Sequence, residues 1–377
     1  MSEYQRYEFM TIDRPLTPQQ LDAVDSLSSH IEVTSTHAIV EYNWGDFKHD
    51  PIKVLQEYFD GFLYWANWGS HRLAFRFPHG ILPADLLEGY DLEDFVEFTR
   101  HPDYDILDIH FAEMEAPDVW TDYELGSLIG IRDELMEGDL RSLYIVWLAA
   151  QDMMGSYDEE EDYEITVPPV PPGFNTLTAA QHSLAELLQL TQELLVATAH
   201  HSQSAAPSTK DDFSAWINLL PPQRQHDYLL RLAHNEPGLS RRLVRELREL
   251  GQDKTAAPLP AGEHVTYATL LAESKAIRAR LEREKREQER LAREQHLQQI
   301  HDYQDTYWRQ VEQAASRGAA SGYDEALNTL LDLRAAAGHF KETQKFQDRF
   351  QVWVRPHMRR PALIRRLQAN KFTLPEA

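Results

Sequence analysis

Five histidine and aspartate residues within one short stretch have the residue types that bind metal ions. They are His101, Asp103, Asp105, Asp108 and His110. Alternate residues of a strand share a face, so Asp108 and His110 could bind one metal ion. Asp103 and Asp105 form a second such pair, but Asp105 and Asp108 point to opposite faces. We therefore favour a solvated face of an acidic sheet over a metal-dependent hydrolase, and we predict no metal and no cofactor.

The tripeptide Asn-Trp-Gly occurs twice, at 43–45 and at 67–69. Tryptophans beside a carboxylate at a strand end could form a recognition patch for a partner. Asparagine and glycine are also turn residues, so the two tryptophans could instead fill the end of a sheet against its helices. We favour the structural interpretation and keep as binding candidates Tyr42, Asn43, Trp44, Asp46, Asn67 and Trp68.

The stretch 349–375 contains seven basic residues and no acidic one. Such a run could bind nucleic-acid phosphates or an acidic protein surface. The alternative is a solvated last helix whose arginines meet helix C-terminal carbonyls. Both interpretations stay open for the candidate basic patch, which consists of Arg355, Arg359, Arg360, Arg365 and Arg366.

The sequence motifs of several enzyme classes are missing. The chain has no cysteine, which excludes disulfides, thiolate nucleophiles and cysteine-ligated zinc. It also has no G-x-S-x-G elbow, no P-loop and no glycine-rich dinucleotide turn. We therefore predict no catalytic residue, and an enzyme is the less favoured class.

The charge is distributed unevenly along the chain. Residues 1–165 hold 36 acidic and 9 basic residues, a net charge of −27, whereas residues 166–377 hold 25 and 28, a net charge of +3. The acidic part repels phosphate backbones and attracts basic surfaces. We therefore expect it to meet a protein partner with a basic surface. The chain has no 18-residue apolar run and no secretory signal, so we also predict no membrane association and a cytoplasmic location.

The first 115 residues alternate strand and helix signals. Strands are predicted over 4–12, 31–42, 72–77, 94–98 and 105–111. Thr17-Pro18 and Asp50-Pro51 begin two helices, and the second carries its apolar face on to Phe62 and Leu63. Gly69 stands where a helix C-terminal glycine belongs. The predicted fold class is an α+β domain with a mixed or antiparallel sheet and helices, followed by an all-α region.

Composition divides the chain into five predicted segments. The middle of the long helix, 282–290, is charged on every face, which predicts that it bridges solvent with ion pairs such as Glu282–Arg286 and Glu289–Arg293. The last segment resembles a tetratricopeptide hairpin in size and spacing. The segments are an acidic α+β domain (1–154), an acidic and proline-rich linker (155–175), a helical hairpin domain (176–255), a long charged helix (264–317) and a C-terminal helical hairpin with a basic end (322–377).

The landmarks, in order, resemble a family of uncharacterised bacterial proteins. The first pieces are YEFMTIDRPLT at 7–17 and YNWGDFKHDP at 42–51, followed by ANWGSHRL, PPVPPG, the charged helix, YDEALNTLLDLR and RRPALIRRL. His49 and Phe174 depart from the pattern. The closing piece also resembles the C-termini of some bacterial SWIM zinc-finger proteins, although a chain without cysteine cannot carry that finger. The resemblance implies the architecture and no chemistry.

Three hypotheses follow for the function. The leading one is a non-enzymatic adaptor or scaffold in a bacterial multiprotein system, with phage defence as one such system. The second is a nucleic-acid-engaging accessory protein that uses the basic C-terminus. The third is the metal-dependent hydrolase. The partner, the pathway and the oligomeric state do not follow from the sequence.

Overall fold

A computed structural model describes residues 3–83, 85–90, 92–112, 114, 122–155, 167–203, 212–234, 239–251 and 265–375. The chain forms two compact units, residues 1–277 and 278–377. The first unit contains an antiparallel sheet with helices, and the second is helical. The predicted fold class, an α+β domain followed by an all-α region, is confirmed.

A single antiparallel sheet in the order β2-β3-β1-β4-β5-β7-β6 organises the first unit. The central strand β1 pairs with β3 on one side and β4 on the other. Because the pairing is antiparallel throughout the described strands, short turns connect several of them. The strands are β1 (Gln5–Met10), β2 (Ile31–Val33), β3 (His37–Tyr42), β4 (Gly61–Ala66), β5 (Ser70–Pro78), β6 (Val96–Arg100) and β7 (Tyr104–Phe111).

Helices cover both faces of this sheet. Helices α1 (Pro18–Asp25) and α2 (Pro51–Tyr58) pack on one face. The predicted starts of both are confirmed, since Thr17 caps α1 with a capping box and Asp50 caps α2. The second face meets α3 (Leu125–Leu128), α4 (Gly130–Met136), α5 (Arg141–Gly155), α6 (Ala179–Leu187) and α7 (Gln192–His200).

Two sequence-based elements differ from the structure. The predicted helix after Pro51 ends at Phe59, whose backbone is extended, and Phe62 lies in β4. Strand β4 is buried on both faces, so its continuous apolar run lacks the alternation that marks a half-exposed strand. Gly69 accordingly lies in the turn between β4 and β5, not at a helix end. The predicted strand 31–42 is divided into β2 and β3.

The proline-rich part of the predicted linker packs into the sheet domain. Val167, Val170 and Phe174 are buried in the same apolar core as the β4 residue Leu63 and the α6 residue Leu184. The acidic run 158–162 lies outside the described residues. The described part of the linker therefore does not separate two cores, because its apolar side chains extend one core from the sheet into α6 and α7.

Three short helices, α8 (Phe213–Ile217), α9 (Pro222–Ala233) and α10 (Leu239–Gly251), form a small cluster of their own. The long helix α11 (Tyr267–Asp302) follows, and the boundary between the two units falls within it. Every residue from Arg278 to Arg293 is exposed, as the charge pattern predicts. Glu282 and Arg286 form the predicted ion pair at 3.1 Å, whereas Arg293 pairs with Asp332 and not with Glu289.

The second unit packs four further helices around an aromatic core. The predicted helix 264–317 is interrupted at Tyr303, which separates α11 from the next helix. Trp308, Phe346 and Phe350 lie in the core of this unit. The helices are α12 (Gln304–Ser316), α13 (Ala320–His339), α14 (Thr343–Val354) and α15 (Pro361–Ala369).

Candidate functional site

The two Asn-Trp-Gly turns lie at the same end of the sheet. Gln5, at the start of β1, is paired with Tyr42 of β3 and with Ala66 of β4. The turns at 43–46 and 67–69 directly follow those two residues. Neighbouring strands are about 4.8 Å apart, so the strand ends that carry the turns are about 10 Å apart. Register alone thus brings together two tripeptides that are 24 residues apart in sequence.

The Gln5 side chain holds the first turn in place. Its amide nitrogen donates hydrogen bonds to the Gly45 carbonyl at 2.6 Å and to Asp46 Oδ1 at 2.9 Å. Its amide oxygen accepts from Tyr7 Oη at 2.9 Å and from Tyr64 Oη at 3.1 Å. Burial raises the pKa of Tyr7 to about 12, which keeps this phenol a hydrogen-bond donor. Gln5 is a positioning residue that no sequence motif indicates.

Asn67 and Gly69 hold the second turn in place. Tyr4 N–H donates to Asn67 Oδ1 at 3.1 Å, and Asn67 N–H donates to the Tyr4 carbonyl at 3.0 Å. Gly69 has a φ of +95°, and a Cβ atom there would lie 1.9 Å from the Met114 carbonyl oxygen. Only glycine fits this position, because both the dihedral angle and the close approach exclude a side chain.

Both tryptophans of the turns are exposed. Trp44 is 73% exposed and Trp68 is 41% exposed. The favoured structural interpretation, in which both rings fill the sheet end, is therefore wrong. The sheet end is instead filled from within by Tyr7, whose ring contacts the rings of Phe47 and Tyr64. Once these rings occupy the interior, the tryptophans extend into solvent.

Of the other four candidate residues in this region, two support the fold and two are exposed to solvent. Tyr42 forms a hydrogen bond of 2.9 Å with Ser28 Oγ, and Asn67 caps Tyr4 as described, so both support the fold. Asn43 and Asp46 are exposed beside Trp44. We call Tyr42, Asn43, Trp44, Asp46, Asn67 and Trp68 together the NWG surface.

The aspartates of the His101–His110 stretch are bound by arginines. Arg72 Nε donates to Asp108 Oδ1 at 2.9 Å, and its Nη2 lies 2.5 Å from Asp108 Oδ2. Arg100 Nε lies 3.3 Å from Asp105, which is fully buried and also accepts the Gly80 N–H at 2.9 Å.

The structure divides the stretch, because Asp103 and His110 are exposed, as the solvated-face interpretation predicts, whereas Asp105 and Asp108 are paired with arginines. Asp105 and Asp108 are buried partners of arginines, not residues of a solvated face. The His101 ring contacts the Tyr104 ring at 4.6 Å between centroids, and burial together with Arg72 lowers the pKa of His110. No group of three or more potential metal ligands occurs among the described residues. The geometry therefore offers no support for the hydrolase hypothesis.

The five arginines of the predicted basic patch fall into two groups. Arg366 Nε binds Asp324 at 2.6 Å, and Arg360 donates to the Ala315 carbonyl. Arg355, Arg359 and Arg365 are exposed and form no ion pair with any residue that the structure describes. Two of the five arginines therefore stabilise the fold, and three are available to a partner.

Buried polar groups that the sequence does not reveal hold the sheet domain together. Asp60 accepts the N–H groups of Ile12 and Asp13 and an Arg76 hydrogen bond of 2.8 Å. Burial alone would raise the pKa of Asp60, but Arg132 and Arg76 hold it below its usual range. Arg132 is itself buried and lies 2.9 Å from Asp13. Such residues look like ordinary surface charges in a sequence.

Glu8 joins the sheet to α3 in the same way. This buried carboxylate accepts the Leu125 N–H at 3.1 Å and lies 2.7 Å from His37 Nε2. Burial alone would raise the pKa of Glu8, but His37 and the Leu125 N–H keep it low. Glu8 therefore orients α3 and is not free to bind a ligand.

Comparison of the chain with protein-family models, with curated proteins and with solved structures finds no match. The resemblance to an uncharacterised bacterial family therefore stays a prediction. No helix in the described parts of the chain is both long and apolar enough to cross a membrane.

Proposed function

We propose that the chain is a non-enzymatic adaptor whose acidic N-terminal domain docks a basic partner through the NWG surface. The observation that carries this proposal is the exposure of Trp44, at 73% the most exposed large hydrophobic side chain among the described residues. Tryptophan is enriched in the energetic centres of protein interfaces. An exposed indole on an ordered turn loses little conformational freedom when a partner binds it.

The surroundings of the tryptophans favour a cationic partner. Asp46 lies two residues from Trp44, and Asp50 is exposed a few residues further on, whereas Glu41 on the other side of the turn is paired with Arg6 at 2.9 Å. Lysine and arginine side chains are attracted both by these carboxylates and by the face of an indole ring. The net charge of −27 over residues 1–165 adds long-range attraction for the same partner.

Affinity purification from the host with quantitative mass spectrometry tests this function. The bait is compared with the double variant Trp44→Ala/Trp68→Ala and with Tyr303→Ala, which removes an exposed aromatic ring from the helical unit. We expect the double variant to lose a stoichiometric partner that wild type and Tyr303→Ala retain. Recovery of the chain alone, or of the same partner with all three baits, contradicts the proposal.

A purified partner then permits a test of its chemistry. Because salt screens exposed charges, we expect the affinity of the partner for the chain to fall as the salt concentration rises. Asp46→Asn removes one carboxylate of the NWG surface, and we expect an affinity loss of about twofold to tenfold. An affinity that is independent of salt excludes a basic partner surface.

A further inference from the structure

The segment from Val352 to Arg365 in the second unit combines unpaired arginines with exposed aliphatic side chains. Helix α14 buries Phe346, Phe350 and Val354, and its continuation buries His357. On the side of this segment away from those residues, Val352 and Arg355 are exposed three residues apart. Met358 and Arg359 are exposed in the turn that follows, and Arg365 is exposed in α15. We call Val352, Arg355, Met358, Arg359 and Arg365 the arginine face.

The exposed side chains of this face have no structural role that the described residues explain. Val352 is 72% exposed and Met358 is 37% exposed. Arg355, Arg359 and Arg365 have no ion pair, whereas Arg349 in the same segment binds Asp305 at 2.7 Å. Asp348, which precedes these arginines in α14, accepts a hydrogen bond of 2.8 Å from Gln344.

We propose that the arginine face binds an acidic amphipathic segment of a partner protein, in which carboxylates alternate with apolar residues. Charge complementarity favours an acidic occupant, because Arg355, Arg359 and Arg365 are exposed cations that no described carboxylate neutralises. The apolar part of the occupant covers Val352 and Met358. Arginine and methionine are both enriched in protein interfaces, and arginine binds carboxylates with two parallel hydrogen bonds.

A nucleic acid fits this face less well. Proteins that bind single strands stack bases on exposed aromatic rings. The large hydrophobic side chains that residues 349–375 expose, Val352 and Met358, are aliphatic. A phosphate backbone would leave both of them in water, whereas an amphipathic segment covers them.

The proposal concerns a different surface and a different partner from the NWG surface, and it stands if that docking proposal fails.

A direct binding assay on the full-length chain tests the inference. The probe is a fluorescent helical peptide of about 18 residues with leucine on one face and glutamate on the other. The test variant is Arg355→Ala/Arg359→Ala/Arg365→Ala. The matched control, Arg349→Ala/Arg360→Ala/Arg366→Ala, removes the same charge from the same segment at arginines that bind the protein itself.

We expect the test variant to bind the peptide at least about tenfold more weakly than wild type, and the control to stay within about threefold. Val352→Ser should weaken binding several-fold, since it removes an apolar contact and no charge. Circular dichroism verifies that each variant is folded. Trp44→Ala/Trp68→Ala should bind the peptide as wild type does.

Three results overturn the proposal. The first is no binding of the peptide at low salt. The second is an equal loss in the test variant and the control, which would mean that net charge alone attracts the peptide. The third is tight binding of a DNA or RNA oligonucleotide that excludes the peptide and depends on the same three arginines, which would assign the face to nucleic acid.

Discussion

Charged residues have opposite roles in the sheet domain and in helix α11. In the sheet domain Arg132 is 1% exposed and donates to the Arg76 carbonyl at 2.7 Å. In α11 the residues from Arg278 to Arg293 are all exposed, and pairs such as Glu282–Arg286 lie in water. A buried charge that loses its partner is costly, whereas an exposed pair contributes little. The same residue types therefore fix the fold in one region and keep a helix soluble in the other.

The comparison also refines the electrostatic argument for docking. Part of the negative charge of the sheet domain is compensated internally, as Asp60 is by Arg76 and Arg132. The carboxylates that remain available to a partner are exposed ones such as Asp46. The net charge of −27 already subtracts these arginines, but it does not show which carboxylates are exposed to a partner.

Removal of a buried arginine should cause the largest loss of folding stability. We expect Arg132→Met to lower the free energy of unfolding by about 3 to 5 kcal/mol, because Asp60 and Asp13 lose a buried cation. Arg286→Met in α11 should change it by less than about 0.5 kcal/mol. Urea unfolding measures both. Equal losses of stability for the two substitutions would contradict the difference between buried and exposed charges.

The glycines of the two Asn-Trp-Gly turns also differ in how closely they are packed. Gly69→Ala places a methyl group against the Met114 carbonyl at positive φ, and we expect a loss of about 3 kcal/mol. Gly45 also has a positive φ, of +86°, but open space around it, so Gly45→Ala should cost only about 1 kcal/mol. Thermal unfolding of the two variants checks the order, and a larger loss for Gly45→Ala would contradict it.

Acidification should reveal a buried histidine in the sheet domain. Burial lowers the pKa of His71 to about 4 from an ordinary value of 6.5. Because the folded protein resists protonation, the stabilisation is complete above pH 6.5 and is lost as the pH falls toward 4. Between pH 7.5 and pH 5 we expect a loss of about 2 kcal/mol in the free energy of unfolding.

The variant His71→Gln isolates this histidine. The slope of stability with pH should decrease by the contribution of His71 over the same range, while the contribution of His110, whose pKa is also lowered, remains. Asp60 does not interfere, since its lowered pKa places its own loss below its ordinary pKa of 3.8. An unchanged slope in His71→Gln would show that other groups titrate there.

An exposed ion pair of α11 should have the smallest effect. Glu282→Ala removes the pair with Arg286 at 3.1 Å. We expect a loss of about 0.3 to 0.5 kcal/mol at low salt and almost none at high salt. Helicity measured by circular dichroism should stay nearly constant. A large loss of helicity would show that this exposed ion pair stabilises α11 far more than an exposed pair is expected to.

Local signals in the sequence predicted much of the fold. Thr17 and Asp50 mark helix starts because capping depends on residues three positions away at most. The fully buried strand β4 was misassigned, because an apolar run without alternation fits a helix and a strand equally well. The interruption at Tyr303 follows no proline or glycine, so no breaker signal indicates it.

The candidate site was predicted only in part. The repeated Asn-Trp-Gly motif located the two turns, but the exposure of Trp44 depends on Tyr7 of β1 and on Phe47 of the segment after the first turn, which fill the sheet end. The arginine partners of Asp105 and Asp108 come from β6 and β5. Such contacts depend on register across the sheet, which a single sequence does not contain.

Indole resonances in the presence of a partner test the central claim most directly. The chain has eight tryptophans, and single Trp→Phe variants assign the Nε1–H signals of Trp44 and Trp68 in a nitrogen-15 labelled sample. With the partner identified by affinity purification added, we expect these two signals to shift or broaden while those of the buried Trp65 and Trp147 stay in place. Unchanged signals of Trp44 and Trp68 in a saturated complex would contradict docking through the NWG surface.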